Sequence, residues 1–367
     1  MSLLDFLQKK EYLVSIDIGS TAIKLIEFDM SGSRPRVVNI GVSPVRGDIF
    51  AGNVITRAEK VAEQISGLVE SNAISDKRVV TAVPGPSVFT KKIKMPKQDP
   101  GQLKSSIGLE AGNFIPHNLD AVRLDYHIIG ESSKNQLDVL IVAVKNEILD
   151  SFTGSLSLAG LETAVVDVDV FALQNIFELS HPELTEKTVA LVNIGARYSS
   201  INICRGGESL FTGDIAVGGK MFTDAIAEGL GVTTEEAEQL KLGKAPAAAD
   251  GAAHTALMDS VHDIVERQLE YISSEFNRQL SFFWSASGSD ESIDQILLTG
   301  GGALIPGLCA ELKEKTGVAC ELLNPLAVIE AGEGVDADYL KEVAPLMSIA
   351  LGMAIRQPGD RIIPDVF

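Results

Sequence analysis

The sequence predicts an α/β fold built from two related domains, with a smaller α+β unit inserted between them. Three observations carry that prediction. A strand, a tight glycine turn and a second strand occupy Glu11–Phe28. The same pattern returns at Thr188–Cys204, so that Asp17-Ile-Gly19 is matched by Asn193-Ile-Gly195, 176 residues downstream. Between the copies, residues 87–167 carry strand and helix periodicities of their own. A repeat at this spacing implies tandem copies of one plan, with a ligand site between them.

Each element has a local reason. Tyr12–Ile16 is mostly apolar, Asp17-Ile-Gly-Ser-Thr21 supplies turn residues, and Ala22–Phe28 resumes as a strand, which is a hairpin signal. Val37–Val42 suits a third strand. Val54, Ala58, Val61, Ile65 and Leu68 recur at helical spacing, predicting a helix over Asn53–Ser71. Arg78–Val83 reads as a strand that stops at Pro84-Gly85-Pro86. The inserted stretch then reads strand (Val88–Met95), helix (Pro100–Phe114), two strands (Val122–Ile129, Leu137–Val144), helix (Asn146–Ala159) and strand (Glu162–Asp167). This is the βαββαβ order of a common α+β sandwich. Asp99-Pro100 marks a helix start and Gly160 a helix end. In the second copy, Gly206-Gly207 turns the chain into a strand over Ser209–Val217, and Gly218-Gly219 precedes a helix. Gly243–Thr255, rich in Ala, Pro and Gly, reads as a loop, and Leu257–Trp284 as a long helix. A short strand at Ile293–Leu298 ends in Thr299-Gly300-Gly301-Gly302, followed by helices at Leu308–Thr316 and Ala344–Arg356. The expected division is 1–86 with 168–186 and 340–367, then 87–167, then 187–339.

Composition narrows the function. With 31 basic and 50 acidic residues the net charge is −19, which argues against a nucleic-acid partner, because binding there needs a basic face. No stretch is apolar enough to cross a bilayer, and charges at Asp5, Lys9, Lys10 and Glu11 interrupt any secretory core. The expected location is therefore the cytoplasm. The three cysteines, Cys204, Cys309 and Cys320, form no CxxC pair and read as buried apolar fillers. No histidines have zinc-ligand spacing.

The chain lacks a GxxxxGK[ST] loop, so phosphate recognition falls to the glycine turns. In the first hairpin, Gly19, Ser20 and Thr21 offer amides and hydroxyls. Asp17 is the candidate to hold a hydrated Mg²⁺, and Lys24 the candidate to neutralise phosphate charge. One such turn is equally the mark of a plain structural hairpin. The second hairpin adds Asn193, Gly195, Ala196 and Ser199, so that two turns would grip a phosphate chain. Gly218 and Gly219 open a helix whose free N–H groups are expected to favour an anion. Gly300, Gly301 and Gly302 leave room for a flat base against bare backbone.

These segments resemble those of a known superfamily. Asp17–Lys24, Asn193–Ser199 and Thr299–Pro306 look like the two phosphate motifs and the adenosine motif of actin, the heat-shock chaperone ATPases and the sugar kinases, in the same order. That resemblance implies an actin-like ATPase fold of two related βββαβα-type domains, binding ATP or ADP with Mg²⁺. It implies that Glu238 and Lys241, in Ala237-Glu-Gln-Leu-Lys241, contact the ribose and base. Ile107–Pro116, Leu124-Asp-Tyr126, Val166–Ala172 and Val217-Gly-Gly219 are similar to the PilM family of cytoplasmic actin-like proteins of type IV pilus assembly. The division protein FtsA is the next resemblance, and both place a small subdomain where 87–167 lies. The PilM resemblance implies binding to the cytoplasmic N-terminal tail of PilN. Through PilN it implies an indirect tie to PilO and PilP, a link to the pilus motor and twitching motility, an inner-membrane location through partners, and a homo-oligomer in the assembled machine.

Two positions depart from the superfamily. Asn193 stands where most members carry Asp, and Asp169 stands at the position of a longer water-orienting Glu or Gln. Asp167 is the alternative catalytic acid, expected on the same strand face as Asp169. Both departures predict slow or absent hydrolysis. A small-molecule kinase is a rival reading, but no sugar-binding constellation surrounds these acids. An FtsA-like filament protein is another, although Arg356–Phe367 is short and broken by Pro358 and Pro364. Leu3, Leu4, Phe6 and Leu7 followed by Lys9 and Lys10 form either a weak membrane-surface contact or a frayed terminus. Lys91, Lys92, Lys94 and Lys97 form a local basic strand in an acidic protein, either steering a partner or protecting an edge.

Overall fold

A computed structural model describes residues 13–45, 47–115, 118–133, 135–244, 251–287, 292–357 and 360. The segments Met1–Lys10 and 361–367, on which two expectations rest, lie outside the described residues. The described chain divides into two compact units, one reaching Asp169 and taking up the chain again from Met353, the other Val170–Gly352.

The first unit carries β1 (Val14–Ile18), β2 (Ala22–Asp29), β3 (Arg36–Pro44), α1 (Ala58–Ser71) and β4 (Arg78–Val83). Next come β5 (Val88–Pro96), α2 (Pro100–Phe114), β6 (Val122–Ser133), β7 (Gln136–Lys145), α3 (Asn146–Leu158) and β8 (Glu162–Val168). Its main sheet runs β8-β4-β1-β2-β3. The hairpin strands pair antiparallel, while β1–β4 and β4–β8 pair parallel. Ile16, Ile23, Leu25 and Val79 on the sheet are buried, as are Val61 and Ile65 of α1 and Phe152 and Leu156 of α3. The helix expected from Asn53 starts five residues later, at Ala58. β-Branched Val54 and Ile55 instead form a two-residue ladder with Phe50–Ala51, and the Ile55 amide donates to the Ser151 hydroxyl at 3.1 Å.

The βαββαβ order of 87–167 is present, and its strands are shared between two sheets. β5, β7 and β6 form a three-stranded antiparallel sheet in that order. Leu103, Ile107 and Ala111 of α2, one stripe at helical spacing, cover Leu137, Val139, Ile141 and Ala143 of β7. Asp99 caps α2 by accepting from Gly101 and Gln102, and Pro100 takes the first helical position. The closing pair α3–β8 joins the main sheet, because β8 is a parallel partner of β4 rather than of the small sheet.

α4 (Asp169–Ser180) leads the chain into the second unit. There lie β9 (Val189–Ile194), β10 (Ser199–Arg205), β11 (Glu208–Ile215), α5 (Gly219–Leu230), α6 (Thr234–Lys241), α7 (Gly251–Ser287), β12 (Gln295–Thr299), α8 (Leu308–Thr316), β13 (Ala319–Leu322) and α9 (Ala337–Ala354). The sheet order β11-β10-β9-β12-β13 repeats that of the first unit, strand for strand: an antiparallel meander of three, then two parallel strands. The repeat read from Asp17 and Asn193 is thus a repeat of topology. One face of this sheet meets Phe222, Leu240, Ile272, Phe276 and Leu308 from α5 to α8. Helix α7 begins at Gly251, so Gly251–Thr255, expected in a loop, are helical. Alanine at 252 and 253 favours the helix.

Candidate functional site

The turn of the first hairpin is set by sterics. Gly19 donates its amide to the Ala22 carbonyl at 3.0 Å, and a Cβ at Gly19 would stand 2.9 Å from that oxygen. Asp17 and Lys24 face each other in register across the two strands. The Lys24 ammonium donates to the Asp17 carboxylate at 2.7 Å, with both side chains largely buried. Ser20 and Thr21 form the turn, and the Thr21 carbonyl accepts from Val45 at 2.8 Å. An acid and a base are therefore held together at the mouth of a glycine turn, the acid suited to a hydrated cation and the base to a phosphate.

Asp167 and Asp169 do not share a strand face. Asp167 is the next-to-last residue of β8, and Asp169 is the first residue of α4. The Asp167 carboxylate accepts from the Val168 amide at 2.7 Å and lies 3.1 Å from Arg356 Nε. Burial pushes its carboxyl above the usual range, and the Arg356 guanidinium draws it part of the way back. Asp169 Oδ1 accepts from the Gly85 amide at 2.8 Å.

The second unit gathers more. Gly195 closes its turn by donating to the Tyr198 carbonyl at 3.1 Å, and Ser199 donates its hydroxyl to the Val217 carbonyl at 2.8 Å. The carbonyls of Gly195 and Ala196 accept from the amides of Gly219 and Lys220 at 2.8 and 2.9 Å. A Cβ at Gly218 would collide with the Gly195 carbonyl. The start of α5 is thereby stitched to the hairpin turn. This corrects one expectation: the first amides of α5 are not free for an anion, because the preceding turn occupies them.

Lys241, on α6, reaches the same place. Its side chain is 6 % exposed, and its ammonium donates to Glu238 at 2.7 Å, Thr223 at 3.0 Å and the Gly219 carbonyl at 3.4 Å. Thr233 and Glu236 form a capping box that fixes the start of this helix. The glycine triplet closes the arrangement. Gly300 adopts φ +85°, a conformation that side chains rarely take, and donates to the Pro345 carbonyl at 2.9 Å. A Cβ at Gly302 would meet the Ile194 side chain, and the Gly302 Cα lies 3.7 Å from where a Gly219 Cβ would be. A Cβ at Gly301 would make only an ordinary contact, 3.9 Å from Leu346 Cγ. Gly195, Gly218, Gly219, Lys241 and Gly302 thus converge on one patch of bare backbone beside a buried ammonium.

A row of polar side chains crosses the sheet at the same end. Thr299, Asn193, Ser200 and Asp214 are register partners across β12, β9, β10 and β11, so they share a face. Thr299 bonds the Pro345 carbonyl at 2.9 Å and Ser348 at 2.5 Å. Ser200 Oγ and Asp214 Oδ1 are buried without a hydrogen-bond partner among the described residues. Burial pushes the Asp214 carboxyl up to about 6. The sequence reading passed over both; the available signal was a carboxylate inside an otherwise uncharged run, Ser209–Val217. An open hollow of ≈ 510 Å³ flanks α5, lined by Arg197, Lys220, Asp224, Glu228 and Gln268. Of the expected residues only Ala196 and Gly218 border it, so the backbone convergence is the better guide to the site. Among the described residues, no group of three or more His, Cys, Asp or Glu is placed to hold a metal. Nor is any helix among them long and apolar enough to cross a membrane.

Known proteins share this fold. The family model described as type IV pilus assembly protein PilM matches residues 15–358. A solved structure titled PilM-PilN type IV pilus biogenesis complex is similar at 25 % identity and a TM-score of 0.80, over 95 % of this chain and 98 % of that one. The ethanolamine utilization protein EutJ from Carboxydothermus hydrogenoformans is 16 % identical with a TM-score of 0.56, over 94 % and 89 % of the two chains. MreB 5 of Spiroplasma citri, bound to AMPPNP, is 11 % identical with a TM-score of 0.52, over 94 % and 95 %. The fold is the actin-like ATPase fold.

Proposed function

Because the chain belongs to the PilM family of type IV pilus assembly proteins, we propose that it is a nucleotide-binding scaffold of the pilus assembly machine. The observation that carries this reading is the convergence of Gly195, Gly218, Gly219, Lys241 and Gly302 on one side-chain-free patch. A Cβ at Gly218 or Gly302 would run into the Gly195 carbonyl or the Ile194 side chain, so glycine lets turn, helix and triplet pack together, and bare backbone gathered in this way suits a base or a phosphate at its rim. ATP or ADP would place its adenosine by Gly300–Gly302, Glu238 and Lys241. Its phosphates would meet the turn of Asn193, Gly195, Ala196 and Ser199, and the turn of Gly19, Ser20, Thr21 and Lys24. Asp17 would hold Mg²⁺ through water. Asn193 offers no carboxylate to a metal, so binding outlasts turnover, and hydrolysis, with Asp169 or Asp167 as the acid, is slow or absent.

The partner is the cytoplasmic N-terminal tail of PilN, docked on the β5-α2-β6-β7 unit. Leu109 is 79 % exposed there, and Phe114 and Leu119 are also exposed. The Lys91 ammonium lies 5.5 Å from the centre of the Phe114 ring. An apolar surface beside a basic edge strand suits an extended peptide with apolar anchors. PilN would tie the protein to PilO and PilP, to the pilus motor, to its own copies and to the cytoplasmic face of the inner membrane. ATP and PilN-tail affinities, measured separately by calorimetry, test the division of labour. Leu109→Asp should weaken the peptide at least tenfold and leave ATP unchanged. Unchanged peptide affinity would place the partner elsewhere, and absence of Mg-ATP binding to the unaltered protein would overturn the nucleotide reading.

A further inference from the structure

Cys309 lies in the first turn of α8, and Cys320 is eleven positions later on the edge strand β13. The expectation that all three cysteines are buried fillers holds only for Cys204. Cys309 and Cys320 are half-buried, and the Cys320 thiol donates to Cys309 Sγ at 3.6 Å. The helix is packed through Leu308 and Leu312 on the core of the second unit, and the strand pairs in parallel with β12, so the two sulfurs are held together by the fold and not by a chance loop conformation.

We propose that Cys309 and Cys320 form a reversible disulfide when the protein meets a hydroperoxide. The Cys309 thiolate attacks the peroxide oxygen, the O–O bond breaks, and the leaving hydroxide takes a proton to become water. Cys309 is left as a sulfenic acid. Cys320 sulfur then attacks Cys309 sulfur, the S–O bond breaks, and a second water leaves with the Cys320 proton. The balance is two thiols and one hydrogen peroxide to one disulfide and two waters; each sulfur loses one electron and the peroxide gains two. Closing from 3.6 Å to the roughly 2.05 Å of a disulfide is a side-chain rotation in scale. The hydrogen bond from Cys320 lowers the Cys309 thiol pKa, which favours Cys309 as the attacking thiolate. Cys204 has no such partner: burial raises its thiol to about 12, so it is an internal control. The cross-link fastens α8, the helix after the Gly300–Gly302 turn, to β13.

The test treats the whole protein with hydrogen peroxide, digests it without reductant and maps linked peptides by mass. The expected result is one linkage, Cys309 to Cys320, reversed by dithiothreitol, absent in Cys309→Ser and Cys320→Ser and kept in Cys204→Ser. Should a serine variant fail to fold, alkylation of the oxidised unaltered protein under denaturant decides. Cys309 and Cys320 should be protected together while Cys204 is labelled. Recovery of Cys309 and Cys320 as separate sulfinic acids, as free thiols, or as links between chains would overturn the proposal.

Discussion

Asp214→Asn should make the protein more stable at alkaline pH. In the second unit the Asp214 carboxylate is half-buried, its Oδ1 has no hydrogen-bond partner among the described residues, and burial raises its pKa from 3.8 to about 6. A folded pKa above the unfolded one means that folding favours the protonated acid. The stabilising contribution is complete below about 3.8 and is lost as pH rises through about 6. A shift of this size, at about 1.4 kcal/mol per unit, caps the loss at about 3 kcal/mol. Partial contact with water lowers the expectation to about 1–2 kcal/mol. Asparagine keeps the shape and stays neutral. Urea unfolding of both proteins, with chelator and without nucleotide, should show the variant ahead by that amount at pH 8, with the gap closing towards pH 4. A variant less stable than the parent at pH 8 would refute the reasoning, because it would mean that an ionised, well-partnered carboxylate had been removed.

Four further outcomes are expected. Gly218→Ala, whose Cβ would strike the Gly195 carbonyl, should cost more than about 2 kcal/mol of stability, read by urea unfolding; a neutral effect would disprove the close approach of turn and helix. Lys241→Met keeps the aliphatic stem but strips Thr223, Glu238 and the Gly219 carbonyl of a donor, and should weaken ATP at least tenfold by calorimetry. Asp17→Ala should remove the Mg²⁺ dependence of ATP affinity, so a titration with unaltered Mg²⁺ dependence counts against Asp17. Steady-state phosphate release should stay far below the roughly 10 s⁻¹ of a median enzyme and rise in Asn193→Asp; rapid turnover by the unaltered chain would contradict the role given to Asn193.

The sequence was most legible where a pattern is local. The strand Arg78–Val83 and the helix Pro100–Phe114 lie where their spacing and caps put them. The matched hairpins at Asp17 and Asn193 announced a topology that the two sheets share. What escaped depends on contacts between distant residues. Strand Glu162–Val168 is apolar enough for either sheet, and only its pairing with Arg78–Val83 decides. The amides at the start of α5 looked free because their acceptors, Gly195 and Ala196, lie more than twenty residues upstream. Asp214 and Ser200 acquire meaning only as register partners, and Cys309 and Cys320 only once a helix and a strand pack together.

The register of the small sheet has a consequence for how this protein can be rebuilt. Val88, where β5 begins, is the direct cross-strand neighbour of Val144, one residue before β7 ends. Chain entry and exit are therefore side by side, and 88–145 is a cassette plugged into the fold through two adjacent strand ends. Removing 87–167 would tear β8 from the main sheet, whereas joining Ser87 to Asn146 through a short glycine linker spans only neighbouring strands. Such a graft would move the proposed docking surface of one relative onto the two repeated sheets of another. Partner specificity, on that proposal, becomes a transplantable part, free to diversify while the two repeated sheets stay fixed.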